Sequence, residues 1–311
     1  MSLILISGGS GLIGRNLTRH LLDRGHEVII LSRHRNRTSQ DKRIRYSYWD
    51  ASQGVIDAAV VNEADHIIHL AGAGVMDKKW TRDYKNTILK SRTATAELII
   101  KSINQPHHIQ SFVSASAIGY YGPDPEVLNH PDGFSETDQP SDDFLGETCV
   151  RWEAASNPVT SMGIRLVTLR TGIVLDTSGG AFKEYIRPLR FGVATIFGNG
   201  KQMTSWIHID DLCRLYADAV EQPYMTGVYN AVAPQPITHK KFMLQTAKKI
   251  RNRFFTSIYI PRFLLKLALG DRSIELLKSA TISSKKIKTA GFTFLYPTLD
   301  SALDELKTRI H

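Results

Sequence analysis

Short apolar segments alternate with longer amphipathic segments along the first half of the chain. Leu3–Ser7 and Val28–Ser32 are short and apolar, which predicts buried strands, whereas residues 12–24 carry apolar side chains at helical spacing. Gly25 follows this helix at the position where a left-handed residue ends many helices. The same pattern predicts further strands at 43–48, 65–70, 111–116 and 165–175 and a long helix at 81–103. Apolar strands separated by helices indicate a doubly wound α/β fold, with a parallel sheet covered by helices on both faces.

The second half of the chain has a less regular pattern. Residues 117–143 are rich in Pro, Asp and Gly, and so long a connection usually shapes a site. A helix is predicted at 208–222 and a strand at 227–232, and after Pro234 the sequence becomes helical and basic.

These changes in pattern divide the chain into two predicted domains. We expect a nucleotide-binding domain at residues 1–176, with a return segment at about 205–233. Residues 177–204 and 234–311 are expected to form a smaller, mostly helical domain on the substrate side.

A glycine-rich loop joins the first predicted strand to the first helix. Gly8, Gly11 and Gly14 have GxxGxxG spacing. The first glycine permits a tight turn, the second lets the backbone approach a pyrophosphate, and the third lets helix and strand pack closely. Because the loop has the required strand before it and helix after it, it predicts a Rossmann domain that binds a dinucleotide at the helix N-terminus. The residues expected beside the cofactor are Gly8, Gly11, Leu12, Ile13 and Gly14.

The end of the second strand indicates which dinucleotide is bound. NAD sites place Asp or Glu there for the ribose 2′-hydroxyl, but no acidic residue lies between Glu27 and Asp41. Ser32 and Arg33 stand at this strand end, where a hydroxyl and a guanidinium suit a 2′-phosphate. We therefore expect NADP.

Composition and charge argue against several functional classes, and a nucleic-acid-associated regulator stays only a weaker hypothesis. The chain of 311 residues has a formal net charge of +9, but its Lys and Arg are scattered without a nucleic-acid-binding motif, so a nucleic-acid partner is not expected. No apolar run approaches the ~18 residues of a membrane span, and the N-terminus enters a strand without a basic leader. Cys149 and Cys213 offer neither a disulfide framework nor metal spacing, which fits a cytoplasmic location.

Several further motifs carry a family resemblance. The runs HLAGA at 69–73, SASAIGYYG at 114–122 and GVYN at 227–230 resemble the extended, epimerase-like type of the short-chain dehydrogenase/reductase superfamily. Trp80, Ser91-Arg92, Arg151-Trp152-Glu153 and Trp206-Ile207-His208 are similar to an uncharacterised epimerase-family branch that has a small C-terminal domain. The resemblance covers essentially the whole chain and implies a Rossmann fold and NADP binding.

The resemblance also implies cofactor contacts beyond the glycine loop. Leu70, Ala71, Gly72 and Ala73 are expected beside the cofactor, the last three on its nicotinamide side. Arg92, on the long helix, could reach the cofactor phosphates or could be a surface charge. Asp50 could contact the adenine or could be an ordinary turn residue.

The proton-transfer residues of the superfamily are incomplete in this chain. Ser116 matches the Ser that polarises the substrate oxygen, but the Tyr-x-x-x-Lys helix expected near Asp143 has Phe144 and Thr148 instead. A phenylalanine cannot carry a proton, and a threonine cannot replace an ammonium group. Tyr120 or Tyr121, beside Ser116, is therefore a candidate proton donor.

Two other hypotheses stay open. Glu147, Cys149 or Glu153 could substitute for the missing groups. Alternatively, the protein binds NADP(H) without turnover, as a sensor or scaffold. We predict an epimerase-like oxidoreductase that transfers a hydride to or from a carbonyl or sugar-nucleotide-like small molecule, with Ser116, Tyr120 and Tyr121 as the catalytic candidates.

The segment Trp206–Asp211 invites a metal hypothesis for His208 and Asp211. No other ligand cluster accompanies them, so we expect no metal site. Asp210 or Asp211 is expected to cap the following helix instead. A homodimer through paired long helices is possible.

Overall fold

The computed structural model describes residues 1–125, 133–252 and 254–310. Part of the long 117–143 connection, residues 126–132, therefore lies outside the described residues. The strands are β1 (Leu3–Ser7), β2 (Glu27–Ser32), β3 (Ile44–Asp50), β4 (Val55–Ile56), β5 (His66–His69), β6 (Ser111–Ala117), β7 (Arg165–Thr171), β8 (Ile173–Leu175), β9 (Val193–Phe197), β10 (Met203–Thr204), β11 (Trp206–His208), β12 (Gly227–Ala231), β13 (Ile237–Thr238) and β14 (Thr256–Ile260). The α-helices are α1 (Leu12–Asp23), α2 (Ala58–Asn62), α3 (Arg82–Lys101), α4 (Phe144–Ser156), α5 (Pro158–Ser161), α6 (Gly180–Ile186), α7 (Ile209–Glu221), α8 (His239–Arg251), α9 (Arg262–Leu269), α10 (Ser273–Leu277), α11 (Lys285–Thr289) and α12 (Leu299–Thr308).

Within the described residues, eight strands form one main sheet in the order β12-β7-β6-β5-β1-β2-β3-β4. All neighbours in this sheet pair in parallel except β3 and β4, which pair antiparallel. The strand order reverses beside β1, and in open α/β sheets ligands bind at the carboxyl ends of the strands near such a switch point. The predicted Rossmann-type α/β fold is confirmed.

Alternate residues of β1 enter two different cores. Ile4 and Ile6 pack in a cluster with Leu17 of α1, whereas Leu5 packs in a second cluster with Ile99 of α3. Successive side chains of a strand point to opposite faces of a sheet, so helices on both faces bury the strand completely. This explains why the strand sequence is apolar without alternation.

The strand predicted at 165–175 divides at Gly172 into β7 and β8, which pair with different partners. β7 pairs with β6 and β12 in the main sheet, whereas β8 pairs with β11. A Cβ at Gly172 would stand 2.7 Å from the carbonyl oxygen of Ser205. Glycine therefore allows the close backbone approach at which the chain leaves the main sheet.

A second, smaller core lies on the C-terminal side of the chain. Phe182, Trp206 and Phe242 are fully buried there, and α12 packs against α8 around them. This region is mostly helical, as predicted, although β14 pairs in parallel with β9. Among the described helices, none is both long and apolar enough to cross a bilayer.

The cap of α7 differs from the prediction. Neither Asp210 nor Asp211 caps the helix: His208 is the N-cap, and its Nδ1 accepts the N–H of Asp210 at 3.2 Å. The Asp211 carboxylate instead accepts the N–H groups of Leu295 and Tyr296, at 2.7 and 2.9 Å. It thereby fastens the C-terminal segment to the main domain.

Candidate functional site

The glycine loop between β1 and α1 packs tightly against the segment that follows β5. Gly8 has φ +75°, and a Cβ there would lie 2.8 Å from the carbonyl carbon of Leu70. A Cβ at Gly14 would overlap the backbone of Gly8 and Gly9. Side chains are therefore excluded at both positions, and the loop stays close to the strand ends.

The N-terminus of α1 is open to a ligand. Gly11 is its N-cap, makes no side-chain capping hydrogen bond, and is followed by no acidic residue in the first turn. Leu12 and Ile13 are half-buried in this turn. The first N–H groups of a helix carry partial positive charge, so an uncapped N-terminus suits an anion such as a pyrophosphate.

The carboxyl end of β2 is basic. Ser32 is buried at the strand end, and Arg33 follows it with an exposed side chain. The Arg35 guanidinium lies 3.9 Å from the centre of the Tyr48 ring. This arrangement places positive charge next to the strand end: Arg35 is held against β3, and the exposed Arg33 is near enough to Asp50 to contribute to the lowered pKa of that carboxyl group.

Asp50, at the end of β3, closes a turn. Its Oδ1 accepts the N–H of Ser52 at 2.9 Å and the Ser52 hydroxyl at 2.6 Å, and these hydrogen bonds lower the pKa of the carboxyl group. The carboxylate thus has local partners already, as expected of a turn residue. The adenine contact stays a prediction.

The segment after β5 is hydrogen-bonded to its surroundings. The Ala71 N–H donates to Ser7 Oγ at 3.4 Å, and the Ala73 N–H donates to Ser91 Oγ at 2.9 Å. This segment therefore lies at the carboxyl ends of β1 and β5, beside the glycine loop. Leu70, Ala71, Gly72 and Ala73 are placed together with Gly8, as the cofactor hypothesis requires.

Arg92 extends from α3 towards the end of this segment. Its Cζ lies 4.8 Å from the centre of the Trp152 ring, and a Cβ at Gly72 would lie 3.1 Å from it. Its Nη1 donates to the carbonyl oxygen of Ile88 at 2.8 Å. No carboxylate among the described residues forms an ion pair with it, so its charge can meet an anionic ligand.

A pocket of about 240 Å³ lies between the carboxyl edge of the main sheet and the C-terminal region; we call it the central pocket. From the main domain it is lined by Val75, Arg92, Ala117, Ile118, Gly119, Leu145, Thr148, Cys149, Trp152, Thr171, Gly172 and Ile173. From the rest of the chain it is lined by Tyr185, Gln202, Met203, Thr204, Ser205, His239, Glu275, Leu276, Lys278 and Ala280. Its position at the strand ends is where this fold class binds substrates.

Ser116, which the sequence analysis proposes as catalytic, lies beside this pocket. Its hydroxyl belongs to a buried hydrogen-bond network. Its hydroxyl donates to Glu153 Oε1 at 2.7 Å. The same carboxylate receives two hydrogen bonds from Arg170, each 2.8 Å long. Ser116 is 3% exposed, so its hydroxyl is oriented by Glu153 and not by solvent.

The two tyrosines after β6 belong to the same network. Tyr121 is fully buried: its hydroxyl donates to Asn230 Oδ1 at 2.7 Å and accepts from Arg170 Nη1 at 2.9 Å. Burial raises the pKa of Tyr121 well above its ordinary value. The Tyr120 ring lies 3.3 Å below the Arg170 guanidinium. Neither tyrosine lines the central pocket, so their catalytic role stays a prediction that this geometry does not favour.

Helix α4 begins at Phe144, where the superfamily has its tyrosine. The Phe144 ring packs edge-on against Trp80, with centroids 5.1 Å apart. The Thr148 hydroxyl donates to the Phe144 carbonyl at 2.7 Å. Burial raises the pKa of Cys149, on the pocket wall, to about 12. Within this helix, the two superfamily positions provide no proton donor, and Cys149 stays a neutral thiol at neutral pH.

The other two substitutes suggested by sequence are already paired. Glu153 holds Arg170, and Glu147 is exposed on the outside of α4 in an ion pair with Arg151. The titratable pocket residues that the sequence analysis missed are Tyr185, His239, Glu275 and Lys278. They come from α6, α8, α10 and the residue after α10, and no local motif in the sequence marks them.

His208, Asp210 and Glu305 bring donor atoms within 4.8 Å of one another. His208 Nε2 lies 2.8 Å from Glu305 Oε2, and Arg309 pairs with both carboxylates. A guanidinium inside the group supplies the positive charge that a metal ion would bring. The cluster therefore joins α7 to α12 as an ion-pair network.

Comparison with known proteins gives consistent matches over the whole chain. A family model described as the NAD dependent epimerase/dehydratase family matches residues 4–231, and a model of a domain of unknown function, DUF1731, matches residues 260–306. The epimerase family protein YfhF of Bacillus subtilis is 35% identical over 305 residues, covering 97% of each chain.

Solved structures also resemble the chain over nearly its whole length. The human epimerase family protein SDR39U1 (isoform 2), solved with NADPH, has a TM-score of 0.86 at 29% identity and covers 99% of this chain and 100% of its own. A nucleoside-diphosphate sugar epimerase from Corynebacterium glutamicum has a TM-score of 0.76 at 28% identity, covering 98% of this chain and 58% of its own. The matched family model spans β1 to β12, with the glycine loop and the ends of β5 and β6 inside it. The chain therefore belongs to the NAD dependent epimerase/dehydratase family.

Proposed function

We propose that this protein is an NADP(H)-dependent oxidoreductase of the epimerase type that acts on a small carbonyl or hydroxy compound. One observation carries the proposal: the uncapped N-terminus of α1 lies beside the end of β2, where Ser32 and Arg33 stand and the chain has no acidic residue. An uncapped helix start suits a pyrophosphate, and a guanidinium in place of an acid suits a 2′-phosphate. The NADPH in the structure of human SDR39U1 supports the same cofactor.

The residues proposed to hold the cofactor follow the carboxyl ends of β1, β2 and β5. Gly8, Gly11, Leu12, Ile13 and Gly14 would hold the pyrophosphate, Ser32 and Arg33 the 2′-phosphate, and Ala71, Gly72 and Ala73 the nicotinamide side, with Leu70 next to them. Arg92 would neutralise a phosphate or another anionic group at the wall of the central pocket, since no carboxylate among the described residues forms an ion pair with it. The bound cofactor would supply or accept a hydride, so the protein needs only to orient the substrate and move a proton.

The central pocket is proposed as the substrate site. Its volume of about 240 Å³ suits a small molecule. Residues 177–204 and 234–311, which we propose as the substrate-side domain, contribute Tyr185, His239 and Glu275 to its wall. Ser116, Tyr120 and Tyr121 remain the proton-transfer candidates that the sequence pattern provides, although their hydrogen bonds favour a structural role.

The second candidate function is an NADP(H) sensor or scaffold without turnover. It is favoured by Phe144 and Thr148, which occupy the superfamily's acid/base positions without a proton-transfer group. Both candidates require NADP(H) binding, and turnover separates them.

Calorimetric titration with NADPH and NADH tests the cofactor assignment. We expect NADPH to bind more tightly than NADH, and Arg33→Asp to reverse or abolish this preference. Arg37→Asp, in the same exposed basic loop but five residues from the strand end, controls for the general loss of positive charge. Absence of NADPH binding by the wild-type protein would refute the proposal. A nicotinamide absorbance screen against carbonyl compounds and sugar nucleotides then distinguishes enzyme from sensor.

A further inference from the structure

The residues on either side of the short helix α10 each contact another part of the chain, one after β5 and one at the start of α4. At its N-terminal side, Arg272 Nη1 donates to the carbonyl oxygen of Met76 at 2.8 Å, in the segment after β5. At its C-terminal side, Lys278 Nζ lies 3.4 Å from the Oδ2 atom of Asp143, the N-cap of α4. Glu275 lies between these two attachments. These two contacts hold α10 near the segment after β5, part of which we propose to bind the nicotinamide, and near the start of α4 at Phe144.

Glu275 is the acidic residue on the wall of the central pocket as the described residues define it. Its side chain is half-buried, and within the described chain its carboxyl group forms no hydrogen bond and no ion pair. Nearby carboxylates differ, because Glu153 is held by Arg170 and Asp143 by Lys278. A half-buried carboxylate without a partner is favoured less than in water, and a bound proton or ligand would relieve this cost.

The surroundings of Glu275 favour its protonated form. Burial raises the pKa of Glu275, and Asp143 adds to the rise, whereas Lys278 opposes it. The other titratable groups on the pocket wall are Cys149 of α4, Tyr185 of α6, His239 of α8 and Arg92 of α3. Burial keeps the first three neutral at neutral pH, since it raises the pKa of Cys149 and Tyr185 and lowers that of His239 to about 4.

Tyr185 offers a second hydrogen-bonding group in the same pocket. Its ring is fixed edge-on between Phe197, His239 and Phe242. Its hydroxyl has no hydrogen-bond partner among the described residues, although the residue as a whole is only 6% exposed. A buried tyrosine hydroxyl normally finds a partner, so this hydroxyl is available to a ligand in the pocket.

We propose that Glu275 is the catalytic acid/base that exchanges a proton with the substrate oxygen, in place of the tyrosine absent at Phe144, and that Tyr185 positions that oxygen by a hydrogen bond. This inference rests on the proposed function. It assigns proton transfer to the C-terminal region, whereas the superfamily takes it from the helix that begins at Phe144. A general acid with a pKa moved towards neutrality is the form that such chemistry requires.

The proton and electron balance is complete with a dihydronicotinamide dinucleotide as the reductant. When bound, this cofactor supplies the hydride that reduces the carbonyl carbon. The carbonyl oxygen accepts the proton of the Glu275 carboxyl group as its π bond to carbon breaks, and the product is an alcohol. Glu275 is left as a carboxylate and regains a proton from water. In the opposite direction, the Glu275 carboxylate removes the hydroxyl proton of the alcohol.

An infrared titration of the NADPH-loaded protein tests the protonation of Glu275 without a known substrate. We expect the infrared band of a protonated carboxyl group to persist at pH values above those at which an ordinary glutamate loses its proton. The band should disappear in Glu275→Gln and remain in Glu97→Gln, which changes an exposed glutamate on α3. If the band lost on Glu275→Gln titrates in the ordinary glutamate range, the inference is overturned.

Turnover provides the second readout once the screen has found a carbonyl compound that the protein reduces. We expect Glu275→Gln to lower kcat by roughly 10²–10⁴-fold while the Kd for NADPH stays unchanged, and Tyr185→Phe to raise KM more than it lowers kcat. Glu275→Gln with wild-type kcat would overturn the inference and leave the proposed function standing. A wild-type protein that does not bind NADPH would refute the proposed function itself, and the inference with it.

Discussion

Arg170 and Glu153 form a two-point ion pair beneath the central pocket, with Nε–Oε1 and Nη2–Oε2 distances of 2.8 Å. Their side chains are 4% and 13% exposed. The pair joins β7 to α4, and Ser116 and Tyr121 both hydrogen-bond to it. Residues that look catalytic in the sequence are thus parts of one buried polar network.

Arg170→Ala should destabilise the protein strongly. Removal of the guanidinium leaves the Glu153 carboxylate buried without its partner, which typically costs about 3–5 kcal/mol. Urea denaturation measures the change in the free energy of unfolding. Arg151→Ala is the matched control, because it removes an exposed ion pair on the same helix and should cost about 0.3–0.5 kcal/mol. Equal losses for the two variants would contradict the proposed role of the network.

Tyr121→Phe should lower stability more than it lowers turnover. The change removes the donor to Asn230 and the acceptor for Arg170, and an unsatisfied buried group costs about 1–3 kcal/mol. Thermal unfolding and the kcat of the same preparations make the comparison. Tyr120→Phe serves as the control for stability alone, since its ring keeps the contact with Arg170. If Tyr121→Phe abolished turnover at wild-type stability, Tyr121 would be the proton donor after all.

Gly8→Ala should disrupt both folding and cofactor binding. Its φ of +75° disfavours a side chain, and the new Cβ would lie 2.8 Å from the Leu70 carbonyl carbon. Gly25→Ala separates these two effects, because its φ is +83° but nothing lies within 4 Å of the added Cβ. The control should therefore cost only the backbone strain of about 1–2 kcal/mol and keep NADPH affinity. Calorimetry of both variants checks the difference.

The stability of the protein should fall as the pH falls from 6.5 towards 4. Burial lowers the pKa values of His66, His69 and His239 from 6.5 to about 4. In this interval the unfolded chain binds protons that the folded chain excludes, so each histidine costs up to about 1.4 kcal/mol of stability per pH unit. The stability that these neutral histidines contribute to the folded state is fully present above pH 6.5.

Urea denaturation across this pH interval measures the slope. His69→Gln should reduce the slope by about one proton, because Gln retains a polar group near Ser7 Oγ, which lies 2.7 Å from His69 Nδ1, but does not titrate. A slope that is unchanged in this variant would show that His69 is not kept neutral by burial.

The sequence by itself determined the Rossmann-type fold, the family and the glycine loop. These features are local: Gly8, Gly11 and Gly14 lie within one strand–loop–helix unit, and the apolar strands report their own burial on both faces. It also identified the absent Tyr-x-x-x-Lys pair, because Phe144 and Thr148 lie one turn apart on a single helix.

Only the tertiary structure decided what the remaining polar residues do. Ser116, Glu153 and Arg170 come from three different elements, and hydrogen bonds between them form only once the sheet and α4 pack together. Glu275 is more than a hundred residues from α4 in the chain, yet the contacts of Lys278 with Asp143 and of Arg272 with Met76 bring it to a pocket wall that α4 also lines. Periodicity reports which face of an element is buried, but pairing between distant side chains depends on packing, and packing has no local signature in the sequence.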